Sequence, residues 1–400
     1  MTGTLQPLAI NQRDQSLDVL RGFALAGVLF VFCVSDIGSV RSNFTTADQI
    51  IDWFKYLVIE GRMYGMLIVI FGIGFYVQLE KAKKQGVSLV PVFSRRLFGL
   101  LIIGFIHAIL FSTRDILMFY AIAGILILAV RNLNNRQLLL IMLVSFFVVM
   151  PLIFAFVKIP FYAFSLVEPN ELWAHIKFNW QFFTLYHQFY TIYIEMFINF
   201  MIGYWIGRTG LLQKLKADKK FRQRVLLVTA ILASILGFLI YYVFESVIDF
   251  PIIIKAHPWL RWPIITTYRA IGESTQLVCA VLYATLLINL YVSSKGKKLL
   301  SPLAAFGQMA LSNYLIQSLI LVPYLLLFNK FENLPPFNGL ILFLIVFALQ
   351  LVFSNWWMSR YTQGPVEWLL RSLTYWKWQK IKRSTPIVKT LNPSFVIKNN

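Results

Sequence analysis

His107 is the residue of this chain best suited to proton chemistry. Nearly every other residue between 97 and 111 is apolar, so the sequence predicts that this imidazole lies inside a membrane-spanning helix. An ionisable side chain is costly in hydrocarbon and is a functional candidate by default. A neutral imidazole can accept a proton from a hydroxyl or an amine near pH 7. We therefore predict that His107 is catalytic; the open alternative is a structural histidine with satisfied hydrogen bonds.

Arg114 and Asp115 follow His107 in a short polar turn, residues 112–115. A carboxylate or a guanidinium close to an imidazole can fix its orientation, so we predict that both residues assist His107 in catalysis. In so tight a turn they could equally cap the two flanking helices.

A second group of polar residues is predicted at a depth similar to that of His107. Residues spaced by four or eight share one face of a helix, and several pairs here have that spacing. We predict that these residues bind substrate in a hydrated cavity; the alternative is that each pair only joins neighbouring helices. The predicted residues are Arg62, Tyr64, His187, Glu195, Arg269, Glu273, Asn313 and Gln317.

No HxxxH, HExxH or CxxC spacing occurs, so the sequence predicts no metal site. Two other histidines, His175 and His257, fall in segments that we expect to be solvated at the membrane surface. Cys33 and Cys279 lie in apolar runs and predict neither a disulfide nor a thiolate site.

The segment SLDVLRGFALAG places Asp18 and Arg21 three residues apart at the predicted opposite edge of the membrane. Both are predicted substrate-binding residues. They could also serve only as a helix cap and as a charge that sets the topology.

The composition is that of a membrane protein. The chain of 400 residues is 58% hydrophobic, 16% aromatic and only 14% charged, which is more apolar surface than a soluble domain can bury. The formal net charge of +20 is spread in short basic runs between apolar segments, so it indicates topology rather than nucleic-acid binding. The first apolar run has no small-residue cleavage site and is predicted to be a retained helix.

We predict an all-α bundle of about ten membrane spans. The predicted spans are 17–36, 57–77, 96–112, 115–131, 137–159, 189–207, 224–244, 264–292, 302–328 and 338–358. Residues 1–383 are expected to form one bundle, with halves at about 1–165 and 190–383, followed by a disordered tail at 384–400. Gly203 and Gly207, four apart, predict close approach of their helix to a neighbour.

The basic residues predict the topology. With a cytoplasmic N-terminus and alternating spans, 10 of the 37 lysines and arginines lie outside and the remaining 27 lie inside. This excess agrees with the positive-inside rule and places both termini in the cytoplasm. The sequence thus predicts a multi-pass protein of a bacterial cytoplasmic membrane.

Several blocks resemble the YeiB-like family of bacterial membrane proteins, a domain-of-unknown-function family. They are SLDVLRGFALAGVLF, IVIFGIGFYVQLEKA, RRLFGLLIIGFIHAILFSTRDILMFYA, FGQMALSNYLIQSLI and FSNWWMSRYTQGPVEWLLRSLTY. The resemblance covers nearly the whole chain and is weakest from about 146 to 190.

That family is distantly similar to transmembrane acyltransferases such as heparan-alpha-glucosaminide N-acetyltransferase. The resemblance implies transfer of an acyl group from cytosolic acyl-CoA (acetyl-CoA), near Arg21, to an extracytoplasmic sugar, lipid or polymer. Bacterial O-acetyltransferases carry a histidine eleven residues after this arginine, where this chain has Phe32, so His107 or His187 would have to replace it. The alternative is a transporter or exporter of a small solute that uses the same polar cavity. Membrane lipids and the acceptor are the expected partners, nucleic acid is not, and a homo-oligomer is left open.

The topology can be tested with cysteines introduced one at a time. We expect cysteines near Ser112 and Asn333 to react with an impermeant thiol reagent applied outside, because they follow odd-numbered predicted spans. Cysteines near Ser88 and Ala217, in basic segments, should react only after the membrane is made permeable. Reversed labelling at any of these positions would show that a span has been miscounted.

Overall fold

A computed structural model describes most of the chain, and the described part is a bundle of α-helices. The described residues are 13–34, 44–111, 115–156, 171–186, 190–240, 242, 261–327 and 334–383. Within these ranges the chain is 87% helical and forms no strand, so the predicted all-α class is confirmed. The predicted tail, 384–400, lies outside the described residues.

The described part of the chain contains sixteen α-helices. In chain order they are α1 (Gln15–Cys33), α2 (Thr46–Phe54), α3 (Arg62–Lys84), α4 (Val90–Leu110), α5 (Leu117–Val130), α6 (Asn135–Val144), α7 (Met150–Phe156), α8 (Leu172–Tyr186), α9 (Tyr190–Thr209), α10 (Leu211–Ala217), α11 (Lys219–Phe238), α12 (Arg261–Tyr291), α13 (Ser294–Gln308), α14 (Ala310–Leu327), α15 (Pro336–Arg360) and α16 (Pro365–Tyr375). Two π-helical turns, Lys55–Ile59 and Ser145–Val149, follow α2 and α6.

The described helices have the length and composition of membrane spans. Eight helical segments among them are apolar enough and long enough to cross a bilayer, and α5 is a shorter apolar helix. Each of the ten predicted spans coincides with helical structure. The predicted span 302–328 differs, because the chain bends at Met309 and forms two helices, α13 and α14. The protein is therefore a helical membrane protein.

Glycines allow the central helices to pack closely. A side chain at Gly72 of α3 would overlap the backbone oxygen of Phe200 on α9, and one at Gly203 would overlap that of Val69 on α3. Gly207, one turn further along α9, lies against the ring of Tyr76. The predicted close approach at Gly203 and Gly207 is thus confirmed.

Glycines also allow α1 and α13 to pack closely. A side chain at Gly22 would overlap the backbone oxygen of Leu303, and one at Gly307 would overlap that of Asp18. Because small residues let backbones approach, dispersion contacts accumulate where lipid provides no hydrophobic drive for association. The two glycine contacts therefore hold α1 against α13. Helix α1 also packs against α3.

The Gly72→Ala substitution should destabilise the protein, whereas Gly74→Ala, on the same helix, should not. Gly74 has open space around it, so alanine there gains up to about 1 kcal/mol of helix propensity. At Gly72 the added methyl forces α9 away, and overpacking of this kind costs roughly 1–3 kcal/mol. Thermal unfolding in detergent can be followed by a thiol-reactive dye, because Cys33 and Cys279 are free and buried. Equal unfolding temperatures would contradict this packing.

Candidate functional site

His107 forms a buried hydrogen-bonded relay with Asp115 and Ser318. Its Nδ1 lies 2.9 Å from Asp115 Oδ1, and its Nε2 lies 2.8 Å from Ser318 Oγ. The three residues are 1%, 2% and 5% exposed, respectively. The relay joins α4 and the start of α5, eight residues apart, to the middle of α14, 211 residues away.

Asp115 is held in position by two further hydrogen bonds. Its Oδ2 accepts a hydrogen bond from the backbone N–H of Met118 (3.0 Å), so it caps the first turn of α5. Its Oδ1 also accepts the hydroxyl of Tyr314 at 3.3 Å. Gly104 leaves room for this carboxylate, because a Cβ there would lie 2.7 Å from Asp115 Oδ2. Asp115 both caps α5 and orients His107, so the two alternatives drawn from the sequence are compatible.

The network around Asp115 assigns the proton on His107. Asp115 already accepts two other hydrogen bonds, which favour its acceptor role, so Nδ1 of His107 carries the hydrogen that it donates. The lone pair of Nε2 then accepts the hydroxyl hydrogen of Ser318. This is the order of groups that turns a serine hydroxyl into a nucleophile in hydrolases of unrelated folds.

The relay lies at the end of the hairpin that α4 and α5 form, beside the start of a short apolar helix. Helix α5 has 14 residues, whereas α4 has 21 and is long enough to cross a bilayer. At about 1.5 Å per residue α5 is roughly 21 Å long, whereas the hydrocarbon layer is about 30 Å thick. Helix α5 alone is therefore shorter than the hydrocarbon layer.

Helix α8 covers the end of this hairpin. His175 Nε2 lies 3.2 Å from the carbonyl oxygen of Phe111, and Asn179 Nδ2 donates to that of Ile109 at 3.2 Å. These carbonyls at the end of α4 lack helical partners and would be costly in hydrocarbon. The prediction that His175 is solvated is wrong: it is 1% exposed, because it closes the end of α4.

The other predicted substrate-binding residues occupy several different environments. Arg62 is buried and donates 2.7 Å hydrogen bonds to the carbonyl oxygens of Tyr56 and Glu60, so it closes the turn before α3. Tyr64 packs against the main apolar core. Glu195 is half-buried on α9, and Glu273 is buried on α12. Arg114, His187 and the side chain of Arg269 lie outside the described residues.

Asn313 and Gln317 belong to a buried polar seam between α14 and α15. Asn313 Nδ2 donates to Ser354 Oγ at 2.9 Å, and Gln317 Nε2 donates to Gln350 Oε1 at 3.3 Å. All four residues are at most 2% exposed. The side-chain oxygens of Asn313 and Gln317 have no partner in the described part of the chain. The seam thus joins two helices and still leaves two acceptors for a ligand or water.

At the other end of the bundle, a buried aspartate, Asp18, is paired with two arginines. Arg13 and Arg21 pair with its carboxylate at 2.9 and 2.8 Å, and Asp18 is 1% exposed. Arg96 interacts electrostatically with Arg13, Arg21 and Arg371, and its Nε has no hydrogen-bond partner among the described residues. We call Arg13, Arg21, Arg96 and Arg371 the arginine cluster. Its positive charge exceeds that of Asp18, so it favours an anionic ligand.

A buried glutamate fixes the start of α14. Glu367 Oε1 of α16 accepts the backbone N–H groups of Leu311 (2.7 Å) and Ser312 (3.1 Å), and Oε2 accepts the Ser312 hydroxyl. Burial raises the pKa of Glu367 above its usual value, although the Ser312 hydroxyl and these N–H groups act in the opposite direction. Since Ser318 lies fewer than two turns further along α14, Glu367 also sets the position of the relay.

Among the described residues no group of three or more histidine, cysteine or acidic side chains could hold a metal ion. Sequence reasoning missed Ser318, Arg96 and Arg371 as site residues. The signal for Ser318 was its spacing, four residues after Tyr314 and one after Gln317, on the polar stripe of an apolar helix.

Fold and site together define an all-helical membrane protein with a buried His–Asp–Ser relay. Residues 206–377 match the family described as "Protein of unknown function (DUF418)". This region contains Ser318 and Glu367, whereas His107 and Asp115 precede it.

Three relatives align with almost the whole chain. YxaH of Bacillus subtilis (strain 168), an uncharacterized protein, is 27% identical and aligns over 96% of this chain and 100% of its own. An uncharacterized 39.9 kDa protein from the amylase 3' region of Bacillus acidopullulyticus is 27% identical, over 93% of this chain and 96% of its own. The uncharacterized YeiB of Escherichia coli (strain K12) is 25% identical, over 91% and 96%. The resemblance to the YeiB-like family is confirmed. No solved structure matches.

The Glu367→Gln substitution should destabilise the protein by about 1–3 kcal/mol, because an amide oxygen accepts the two N–H groups of α14 less strongly than a carboxylate, and the amide N–H₂ would face the Ser312 hydroxyl, which donates to Oε2 in the native protein. The dye assay on Cys33 and Cys279 measures the effect. Glu80→Gln is the matched control: Glu80 forms an exposed pair with Lys83, and such pairs contribute about 0–1 kcal/mol. Equal effects of the two substitutions would contradict the proposed role of Glu367.

Proposed function

We propose that this protein is an acyltransferase of the bacterial cytoplasmic membrane. It would move an acyl group from acyl-CoA to a hydroxyl group of an extracytoplasmic sugar, lipid or polymer. The observation that carries the proposal is the relay, in which His107 stands between a buried carboxylate and a hydroxyl. An imidazole in this arrangement activates a hydroxyl for attack on a carbonyl carbon, which is the central step of acyl transfer.

The arginine cluster supports acyl-CoA as the donor. Arginine binds phosphate through several charge-assisted hydrogen bonds, and CoA carries three phosphate groups. The cluster lies at the N-terminal end of α1, which the positive-inside rule assigns to the cytoplasm, where acyl-CoA is found. The predicted roles of Arg21 and Asp18 are thereby refined: Arg21 would contact the donor, and Asp18 would hold Arg13 and Arg21 in place.

A polar residue lies between the two ends of the site. Tyr120 is 8% exposed, its hydroxyl has no hydrogen-bond partner in the described part of the chain, and it interacts electrostatically with both Asp115 and Arg21. A thioester that enters at the arginine cluster could therefore meet a free hydroxyl donor before it reaches the relay. Such a donor is suited to an acyl carbonyl oxygen.

The environment of Phe32 supports His107 as the replacement for the histidine of the bacterial O-acetyltransferases. The Phe32 ring contacts Tyr314, with centroids 6.4 Å apart, and Tyr314 in turn contacts His107 at 4.9 Å. An imidazole on α4 thus reaches the same neighbourhood that a histidine at position 32 would occupy. His187, the other candidate, lies outside the described residues.

Purified protein in liposomes, supplied with radiolabelled acetyl-CoA and envelope fractions as acceptors, tests the proposal. The His107→Ala variant should transfer label at least about a hundred times more slowly, the usual contribution of a positioned base, while it still binds donor. The Arg21→Ala variant should instead weaken donor binding about tenfold or more in a filter assay, because a charge-assisted contact is lost. Lys298→Ala, an exposed basic residue, is the control and should change neither quantity.

A second candidate is a transporter or exporter of a small solute. The polar seam favours it, because the unpartnered oxygens of Asn313 and Gln317 are acceptors that a solute could use, and His107 or Glu195 could carry a proton. Under this alternative both His107→Ala and Asn313→Ala would reduce solute flux in liposomes. If acetyl-CoA neither binds nor transfers label, acyl transfer is contradicted and transport becomes the leading hypothesis.

A further inference from the structure

We propose that Ser318 is the nucleophile of this site and carries the acyl group as an ester between donor and acceptor. This inference rests on the proposed function and adds a covalent step to it. The sequence did not indicate Ser318 as a catalytic residue; the hydrogen bond to His107, across 211 positions of sequence, does.

The geometry leaves His107 one hydroxyl to activate. Its Nδ1 is occupied by Asp115 and its Nε2 by Ser318, so both nitrogens are engaged. For direct transfer, the acceptor hydroxyl would have to displace Ser318 from Nε2. Attack by Ser318 itself requires no such rearrangement, because base and nucleophile already lie at hydrogen-bonding distance.

Two other buried serines show that this environment is specific. The hydroxyl of Ser312 donates to Glu367 and accepts the backbone N–H of Val366, so it serves to fix α14 and α16. Ser354 Oγ accepts the amide of Asn313. Neither hydroxyl bonds to an imidazole among the described contacts, whereas Ser318 does. Burial alone therefore does not indicate a nucleophilic serine in this protein. The hydrogen bond to His107 distinguishes Ser318 from Ser312 and Ser354.

The reaction balances in two steps. Ser318 Oγ attacks the thioester carbonyl carbon while its proton passes to His107 Nε2; the carbon–sulfur bond breaks, and the imidazolium returns the proton to the leaving sulfur as CoA thiol. The acceptor hydroxyl then attacks the seryl ester and gives its proton to Nε2, which passes it back to Ser318 as the ester bond breaks. Acyl-CoA and acceptor become CoA and acylated acceptor, and the protein is regenerated.

Two measurements test this assignment. A small fluorophosphonate, which modifies activated serines without an acyl donor, should label Ser318 in wild-type protein, as located by peptide mass spectrometry. Label should be lost in Ser318→Ala and reduced at least about a hundredfold in rate in His107→Ala. It should persist in Ser372→Ala, a buried serine of α16 outside the polar seam. Separately, incubation with acetyl-CoA without acceptor should add one acetyl group to wild-type protein and none to Ser318→Ala.

The Ser318→Cys variant answers the same question if the alanine variant does not fold. It should become acetylated as a thioester, which neutral hydroxylamine cleaves far faster than the serine ester of the wild type. Transfer of label to acceptors by Ser318→Ala at the wild-type rate would overturn the covalent step and leave the proposed function standing. Fluorophosphonate labelling of Ser318 with no transfer from acetyl-CoA would retain the nucleophile and contradict acyl transfer. Absence of both would overturn both.

Discussion

The structure depends on how it accommodates an ionisable pair inside hydrocarbon. His107 and Asp115 would cost several kcal/mol in lipid unless each polar atom were paired. Ser318 satisfies one side of the imidazole, and Tyr314 with the start of α5 satisfies the carboxylate. Gly104 provides the space that this carboxylate needs. Residues of α4, the start of α5 and α14 therefore meet at one point, because a missing partner would leave a buried charge or dipole uncompensated.

Helix α14 connects this point with the opposite end of the bundle. Its first turn is bound by Glu367, its middle presents Tyr314 and Ser318 to the relay, and its other polar stripe, with Asn313, faces α15. The bend at Met309 frees the N–H groups that Glu367 accepts, which a continuous helix would have used internally. Because Glu367 of α16 binds the start of α14, the position of α16 helps to set the positions of Tyr314 and Ser318 in the relay. Helix α16 also carries Arg371.

The sequence predicts most of the fold but only part of the site, for a physical reason. Hydrocarbon requires long apolar helices, so membrane spans stand out in the sequence as long apolar runs. The bend at Met309 was not predicted, because the residues on both sides of it within the predicted span 302–328 are mostly apolar. His107 and Asp115 are identifiable because ionisable residues stand out in such runs. Ser318 could not be identified in this way, because serine is common in membrane helices. Its role depends on a contact with His107, 211 residues away in the sequence. Asn313 and Gln317 were predicted to bind substrate; the structure shows that each bonds to α15, and substrate binding stays a prediction.

The shortness of α5, which has 14 residues, makes lipid itself part of the environment of the relay. A bilayer meets a short hydrophobic segment by thinning around it, at a cost of fractions of a kcal/mol per Å of mismatch. Where the acyl chains are short, headgroups and water descend towards the end of α4 with little strain. Long, ordered chains resist this local thinning and press against α8 instead. Membrane thickness, and with it growth temperature and lipid composition, thereby becomes a variable that sets how easily a polar molecule reaches His107.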